Sequence, residues 1–295
     1  MIKRLLIWVT ILSIAISAPF SVSAQDTYQG LDKEKINEGK KVIKEIIAGK
    51  SEIDLTTGEI IDPELKRQKN KDSMIYPQFV SGGGNHSHQY LVACAIDMLD
   101  SDGKTNAANY LYSYYNEAVA YADWPDVYES DNFTFLGHFW HAYTHVNYLE
   151  QTSPTAMSRF KYYMGLANTY FDKNSSNNSL AIQYLGKALH YFSDLNAPHH
   201  VTNLIAVISR HSEWENYADA NRTSYRKYSG TLYNNFGTNF EGYGQDAAYN
   251  GAKYVNYAES TNTSDMSFAA RKTYEYCQDS LAAVIDAFFR TEGVY

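Results

Sequence analysis

The 295-residue sequence holds only two cysteines, Cys94 and Cys277. That is too few for a disulfide scaffold and leaves room for one bridge or for two buried thiols. Positive charge is also scarce: 25 Lys and Arg stand against 33 Asp and Glu, a formal net charge of −8. A protein built chiefly to hold nucleic acid needs a basic patch, so no nucleic-acid partner is expected. A metal-clamped phosphate substrate stays open, because bound cations can dominate a site's local field. After residue 24 no stretch approaches the ~18 apolar residues of a membrane span. Strand-like alternation is nearly absent, and a single glycine-rich run gives no nucleotide-binding loop. Residues 25–75 contain neither Trp nor His.

What is present begins with a secretory pattern. Lys3 and Arg4 precede an apolar run from Leu5 to Ile16, and Val22-Ser23-Ala24 offers small residues for cleavage. Removal of residues 1–24 is expected, which leaves a more acidic, secreted protein without a transmembrane segment. Residues 25–75 are highly charged. They read as an extension or pro-segment outside the core, with one amphipathic helix from Leu31 to Ile47 ended by Gly49. The run "SGGGNHSH" reads as a junction. Residues 76–295 then form a single all-α domain, expected to be a monomer. Leu91, Val92, Ala95 and Leu99 follow a helical period, and Ser153-Pro154 read as cap and first residue of another helix. Further helices are expected over Leu180 to Leu195 and through the terminal "SFAARKTYEYCQDSLAAVIDAFF". The 27 tyrosines against 13 phenylalanines suit half-buried helix positions or a membrane-touching surface.

The chemistry concentrates in "HYFSDLNAPHH", residues 190–200. His190 and Asp194 are one helical turn apart, opposite the stripe Ala181, Leu185, Ala188, Leu189 and Phe192. Taken alone they fit a solvated polar face as readily as two ligands of one metal. A second pair at the same spacing, His211 and Glu215, follows only eleven residues after His200, and that repetition favours a metal. Imidazole nitrogen with carboxylate oxygen suits zinc. A third cluster holds Asp123, Asp126, His138, His141 and His145. The three histidines share a helical face and offer a separate His-only site, although His141 and His145 read better as packing beside Trp140 and Tyr143. His88 heads the stripe of a fourth segment.

Together these segments resemble the bacterial zinc-dependent phospholipases C. "HYFSDLNAPHHVTN" is similar to that family's His-Tyr-x-small-Asp-x-x-x-Pro-x-His signature, which selects His200 over His199 and puts Asn203 in the trailing position. "SHQYLVACAIDML" resembles its N-terminal Ser-His helix, and "ADW…TFLGHFW" its Asp-aromatic…His segment, which favours Asp123 over Asp126. The resemblance covers about residues 85–219. It implies an all-helical cleft with two to three zinc ions. One would be held by Asp123, His138, His190 and Asp194, a second by His200, His211 and Glu215. A third would be shared by His88, a bridging Asp194 and the N-terminal residue. The family's N-terminal tryptophan has no counterpart between Gln25 and His88. Either a new terminus near residues 75–78 supplies the amine, or His86 replaces it.

The resemblance implies a phospholipase C that cleaves the glycerol-side phosphodiester and meets phospholipid membranes only transiently. Asp123 would be ligand and proton acceptor, and Trp124 and Phe135 would flank a choline-like head group. The alternatives are a single-strand-specific zinc nuclease and a catalytically inactive zinc-binding surface protein.

Overall fold

The computed structural model describes residues 31–62, 87–129 and 134–295. The expected signal, His86, the junction and the suggested terminus near residues 75–78 lie outside the described residues. The fold is all-α, as the periodicity predicts. In chain order the helices are α1 (Lys33–Ile47), α2 (Ser87–Ser101), α3 (Thr105–Ser113), α4 (Tyr115–Ala120), α5 (Trp124–Tyr128) and α6 (Ala156–Tyr170). They continue with α7 (Ser179–Asp194), α8 (His211–Ala220), α9 (Phe240–Ala252), α10 (Val255–Ala258) and α11 (Thr263–Thr291). The β structure among the described residues is a two-residue antiparallel pair, β1 (Glu52–Ile53) with β2 (Ile60–Ile61).

Local chemistry sets the helix ends. Asp32 accepts from the Glu34 amide and caps α1, and Gly49 follows its end at φ 69°. The start of α6 differs from the Ser153-Pro154 expectation. Thr155 is the cap, closing a reciprocal box in which its hydroxyl and that of Ser158 each serve the other's amide. Two backbone donors are satisfied there; a cap at Ser153 would put Ala156 at the third helical position, where no side chain could return the second bond. The longest helix, α11, buries Leu281 to Phe289 through the centre of the molecule against α2.

Of the segment expected to stand outside the core, the described residues 31–62 pack against it. Along α1, Val42, Ile43 and Ile46 are buried with Ile53 in the same cluster as α2 and α3. Gly39 allows that approach: a Cβ there would lie 2.0 Å from the Tyr112 carbonyl oxygen. Residues 31–62 are therefore part of the folded body, because an amphipathic stripe this apolar is covered at the first surface available.

Cys94 and Cys277 are buried free thiols rather than a bridge, and burial pushes both up in pKa, Cys94 to about 11. No described helix is long and apolar enough to cross a membrane.

Candidate metal centre

Four helix ends and two loops converge on one cleft. α2 delivers His88 from its first turn, and that turn is anchored. Ser87 Oγ donates to Asp219 Oδ1 at 3.0 Å and shares a 2.6 Å hydrogen bond with the Tyr274 hydroxyl. The last turns of α7 deliver His190 and Asp194, with 0 % and 2 % exposure. The sequence places this pair on a polar face, but the face is covered. α4 packs so closely that a Cβ on Gly186 would meet the Ala118 carbonyl at 2.8 Å, and α5 follows α4 into the cleft.

His138, at the end of the 3-10 turn Leu136–His138, stands between these helices. Its Nδ1 is 3.1 Å from His190 Nε2. Asp194 Oδ2 lies 3.0 Å from the first nitrogen and 3.3 Å from the second. Asp126 Oδ1 is 3.5 Å from each. The other oxygen of Asp194 faces His200 Nδ1 at 3.2 Å and His88 Nε2 at 3.8 Å. Alongside, His200 Nε2, His211 Nε2 and Glu215 Oε1 form a triangle with sides of 3.0, 3.1 and 2.8 Å. Asp194 thus reaches from one group toward the other.

These separations suit metal ligands. Four donors bound tetrahedrally at ~2.0–2.2 Å stand ~3.3–3.6 Å from one another. Imidazole nitrogens facing each other at such distances need a proton or a cation between them. Outer contacts set the tautomers. His190 Nδ1 donates to the Ala122 carbonyl at 2.6 Å and His200 Nδ1 to the His138 carbonyl at 2.9 Å. A carbonyl can only accept, so each Nε2 is left with its lone pair aimed into the group. His138 Nε2 is buried without a hydrogen-bond partner. The donor set of imidazoles and carboxylates fits zinc.

Without a cation, protons compensate the charge. Burial lowers the His190 imidazole, but Asp126 and Asp194 outweigh it and hold it at about 9. Burial likewise opposes the charged form of His200, which Asp194 and Glu215 raise to about 10. Burial favours neutral carboxyls at Asp194 and Glu215, yet the surrounding histidines hold both well below the ordinary carboxylate range. His88 is driven down to about 4 by burial and then by His190. Zinc entering at neutral pH would displace protons from His190 and His200.

Three expectations need correction. Asp123 does not join the metal group. It precedes α5 with its Oδ2 accepting from Gln89 Nε2 at 2.8 Å, and Asp126, three residues on, faces the histidines. Trp124 does not line the cleft; the Lys187 ammonium stands 3.3 Å from its ring centroid. Residues 139–145 are not helical, so His138, His141 and His145 share no helical face. His145 stacks on Trp140 at 4.7 Å, and His141 Nδ1 accepts from the Tyr143 and Thr144 amides.

The structure also places other residues singled out from the sequence. Phe135 lines the cleft 5.4 Å from the His138 ring, in the left-handed region at φ 53°, a conformation costing a non-glycine residue roughly 1 kcal/mol or more. His199 faces away from the second group and stacks on His211 at 4.8 Å, its Nε2 held by Glu259 at 2.7 Å. Gln89, Phe139 and Tyr274 were not singled out from the sequence. Phe139 stacks on His200 at 5.0 Å, and its adjacency to His138 was the only signal. Asn203, at φ 57°, ties this turn to the Val146 carbonyl.

Comparison with known proteins identifies a family and a fold. The family described as zinc dependent phospholipase C matches residues 87–289. A phospholipase C of Bacillus cereus is 30% identical over 214 residues, covering 68% of this chain and 73% of that protein. A phospholipase C of Clostridium novyi is 26% identical over 48% of this chain and 39% of its own length. Among solved structures, an alpha toxin from Clostridium absonum superposes with a TM-score of 0.64 at 23% identity, over 70% of this chain and 65% of that one.

Proposed function

Because the chain belongs to the zinc-dependent phospholipase C family, we propose that it is a secreted enzyme hydrolysing the glycerol-side phosphodiester of phosphatidylcholine-like lipids. The products are diacylglycerol and a phosphorylated head group. The observation that carries the reading is Asp194. Its Oδ2 faces His138 and His190, and its Oδ1 meets the Nδ1 edge of His200, whose Nε2 belongs to the second group, so the two nitrogen–oxygen groups are neighbours in one cleft.

When bound, zinc would supply Lewis acidity toward the phosphate and a water acidic enough to attack at neutral pH. His138, His190, Asp126 and Asp194 would hold the first ion, and His200, His211 and Glu215 the second. His88 would share a third with Asp194, together with the terminal amine or His86. Asp126 takes the role first assigned to Asp123: its carboxylate accepts the proton of the attacking water. The His190 and His200 contacts to main-chain carbonyls keep both rings oriented while the phosphate is engaged. Phe135 offers an apolar ring face at the cleft for a quaternary ammonium.

The test is metal analysis joined to product identification. The folded protein should hold two to three zinc ions, lose turnover with chelator, and release diacylglycerol from phosphatidylcholine vesicles. Fewer than one zinc per folded chain, or cleavage of single-stranded nucleic acid in place of lipid, would overturn the reading.

A surface feature supports a lipid substrate. Val207 and Ile208 are 84 % and 75 % exposed, the most exposed large apolar side chains among the described residues. They sit in the loop between His200 and His211, and Ile208 is three residues from His211, so the two Cα atoms are at most ~11 Å apart. Insertion of this tip would bring the cleft to a bilayer. Replacing both residues with serine should lower turnover on vesicles about tenfold or more, through lost apolar burial, and leave a soluble short-chain phosphatidylcholine unaffected. Equal rates on vesicles would exclude the tip from membrane contact.

A further inference from the structure

Residues 31–62 precede the stretch matched by the family, yet one buried side chain ties them to the metal centre. Gln89 follows His88 in α2 and is 1 % exposed. Its Nε2 donates to the Ile53 carbonyl at 2.8 Å and to Asp123 Oδ2 at 2.8 Å, and its Oε1 accepts from the Ile53 amide at 2.9 Å. Both hydrogens of the amide nitrogen are thus used, and its oxygen is engaged. Toward Ile53 the side chain serves as a one-residue strand neighbour, since it meets both the N–H and the C=O of a single residue.

On the other side, Asp123 begins the short turn of helix that carries Asp126. The preceding residue is fixed as well, because the Ala122 carbonyl takes the Nδ1 proton of His190. The far end of α5 is touched by the same N-terminal hairpin: the Thr56 and Tyr128 hydroxyls are 3.4 Å apart. α5 is five residues long and makes few intrahelical bonds of its own. Its orientation, and with it the direction of Asp126, depends on what holds its ends.

We propose that Gln89 is a positioning residue: it clamps the N-terminal hairpin to Asp123 and so aims the Asp126 carboxylate at His138 and His190. The hairpin is then a working part of the zinc centre rather than a discarded leader. A cut between residues 62 and 87 would leave it docked. This rests on the reading of Asp126, His138 and His190 as zinc ligands.

The experiment is a zinc titration of the full chain against a competing chelator, with thermal melting of the metal-free protein alongside. Gln89→Leu keeps the volume and loses all three hydrogen bonds. It should weaken the zinc held by Asp126, His138 and His190 about tenfold or more, the scale of lost outer-sphere support. The ion at His200, His211 and Glu215 should be unchanged. If Gln89→Leu does not fold, Gln89→Glu serves: it keeps the acceptor for the Ile53 amide but sets a second carboxylate against Asp123, and should weaken the same ion.

The pair Gln89→Glu with Asp123→Asn exchanges donor and acceptor, restores the contact between positions 89 and 123, and should recover zinc affinity. A role confined to stability predicts lower melting temperatures with unchanged zinc affinity, and no recovery in the exchanged pair. Either result overturns the proposal. A parent protein that binds no zinc overturns the ligand reading and this inference together. A parent that binds zinc as expected, beside an unaffected Gln89→Leu, overturns the inference alone.

Discussion

Asp194→Asn should abolish zinc binding in the first group, weaken it in the second, and lower lipid turnover by more than about a hundredfold. The expected loss exceeds the 10–100-fold that outer-sphere changes cost, because this carboxylate would itself hold the ion of the first group and also supports His200 through that ring's Nδ1. The metal-free protein offers a separate readout. His190 and His200 have raised pKa values of about 9 and about 10, so their protonation favours the folded state. That stability is fully present below the ordinary histidine pKa near 6.5 and is lost as pH rises through about 9 to 10. The depressed Asp194 and Glu215 act in the opposite sense. Their contribution is present above ordinary carboxylate values and is lost when pH falls through their lowered ones. Asp194→Asn removes the main partner of His200 and one of the two main partners of His190. Thermal melting of the metal-free variant should therefore fall less between pH 6.5 and 10 than that of the parent. Parallel melting curves, or a variant with full zinc content, would show that Asp194 is not the shared group.

A second large effect separates two aspartates three residues apart. Asp126→Asn should remove one zinc ion per chain and lower turnover by more than about a hundredfold, since a neutral amide is a poor zinc ligand and cannot accept the water's proton. Asp123→Asn should retain that ion, because the asparagine oxygen still accepts from Gln89 Nε2. Zinc counts and steady-state rates on the two variants decide the matter. The reverse pattern would return Asp123 to the centre, as the Ala-Asp-aromatic context suggests.

The geometry departs from that context for a local reason. Asp123 adopts φ −96° and ψ −12° before α5, and its side chain turns toward α2. Asp126 lies about 300° further round the helix at ~100° per residue and points into the cleft. A motif read along the chain registers residue type and spacing, but not which side of a five-residue helix a neighbour occupies. Trp124 shows the same limit from the other direction. Its ring is where an aromatic is expected, but Lys187 on α7 covers it.

The sequence by itself determined the helices and the paired ligands. Apolar periodicity is a property of one segment, and His190 with Asp194, or His211 with Glu215, meet through the geometry of a single helical turn. The preference for His200 over His199 comes from the resemblance alone, and the structure turns His200 Nε2 toward His211 and Glu215 while His199 Nε2 meets Glu259. Only the tertiary structure decided what lies between segments: that Asp126, rather than Asp123, joins Asp194 beside His138. It also decided that α1 and the hairpin belong to the core, tied in through Gln89. The physical reason is that an amphipathic face announces that it will be buried without naming what buries it. A polar face carrying ligands is the same until other elements close over it and exclude water.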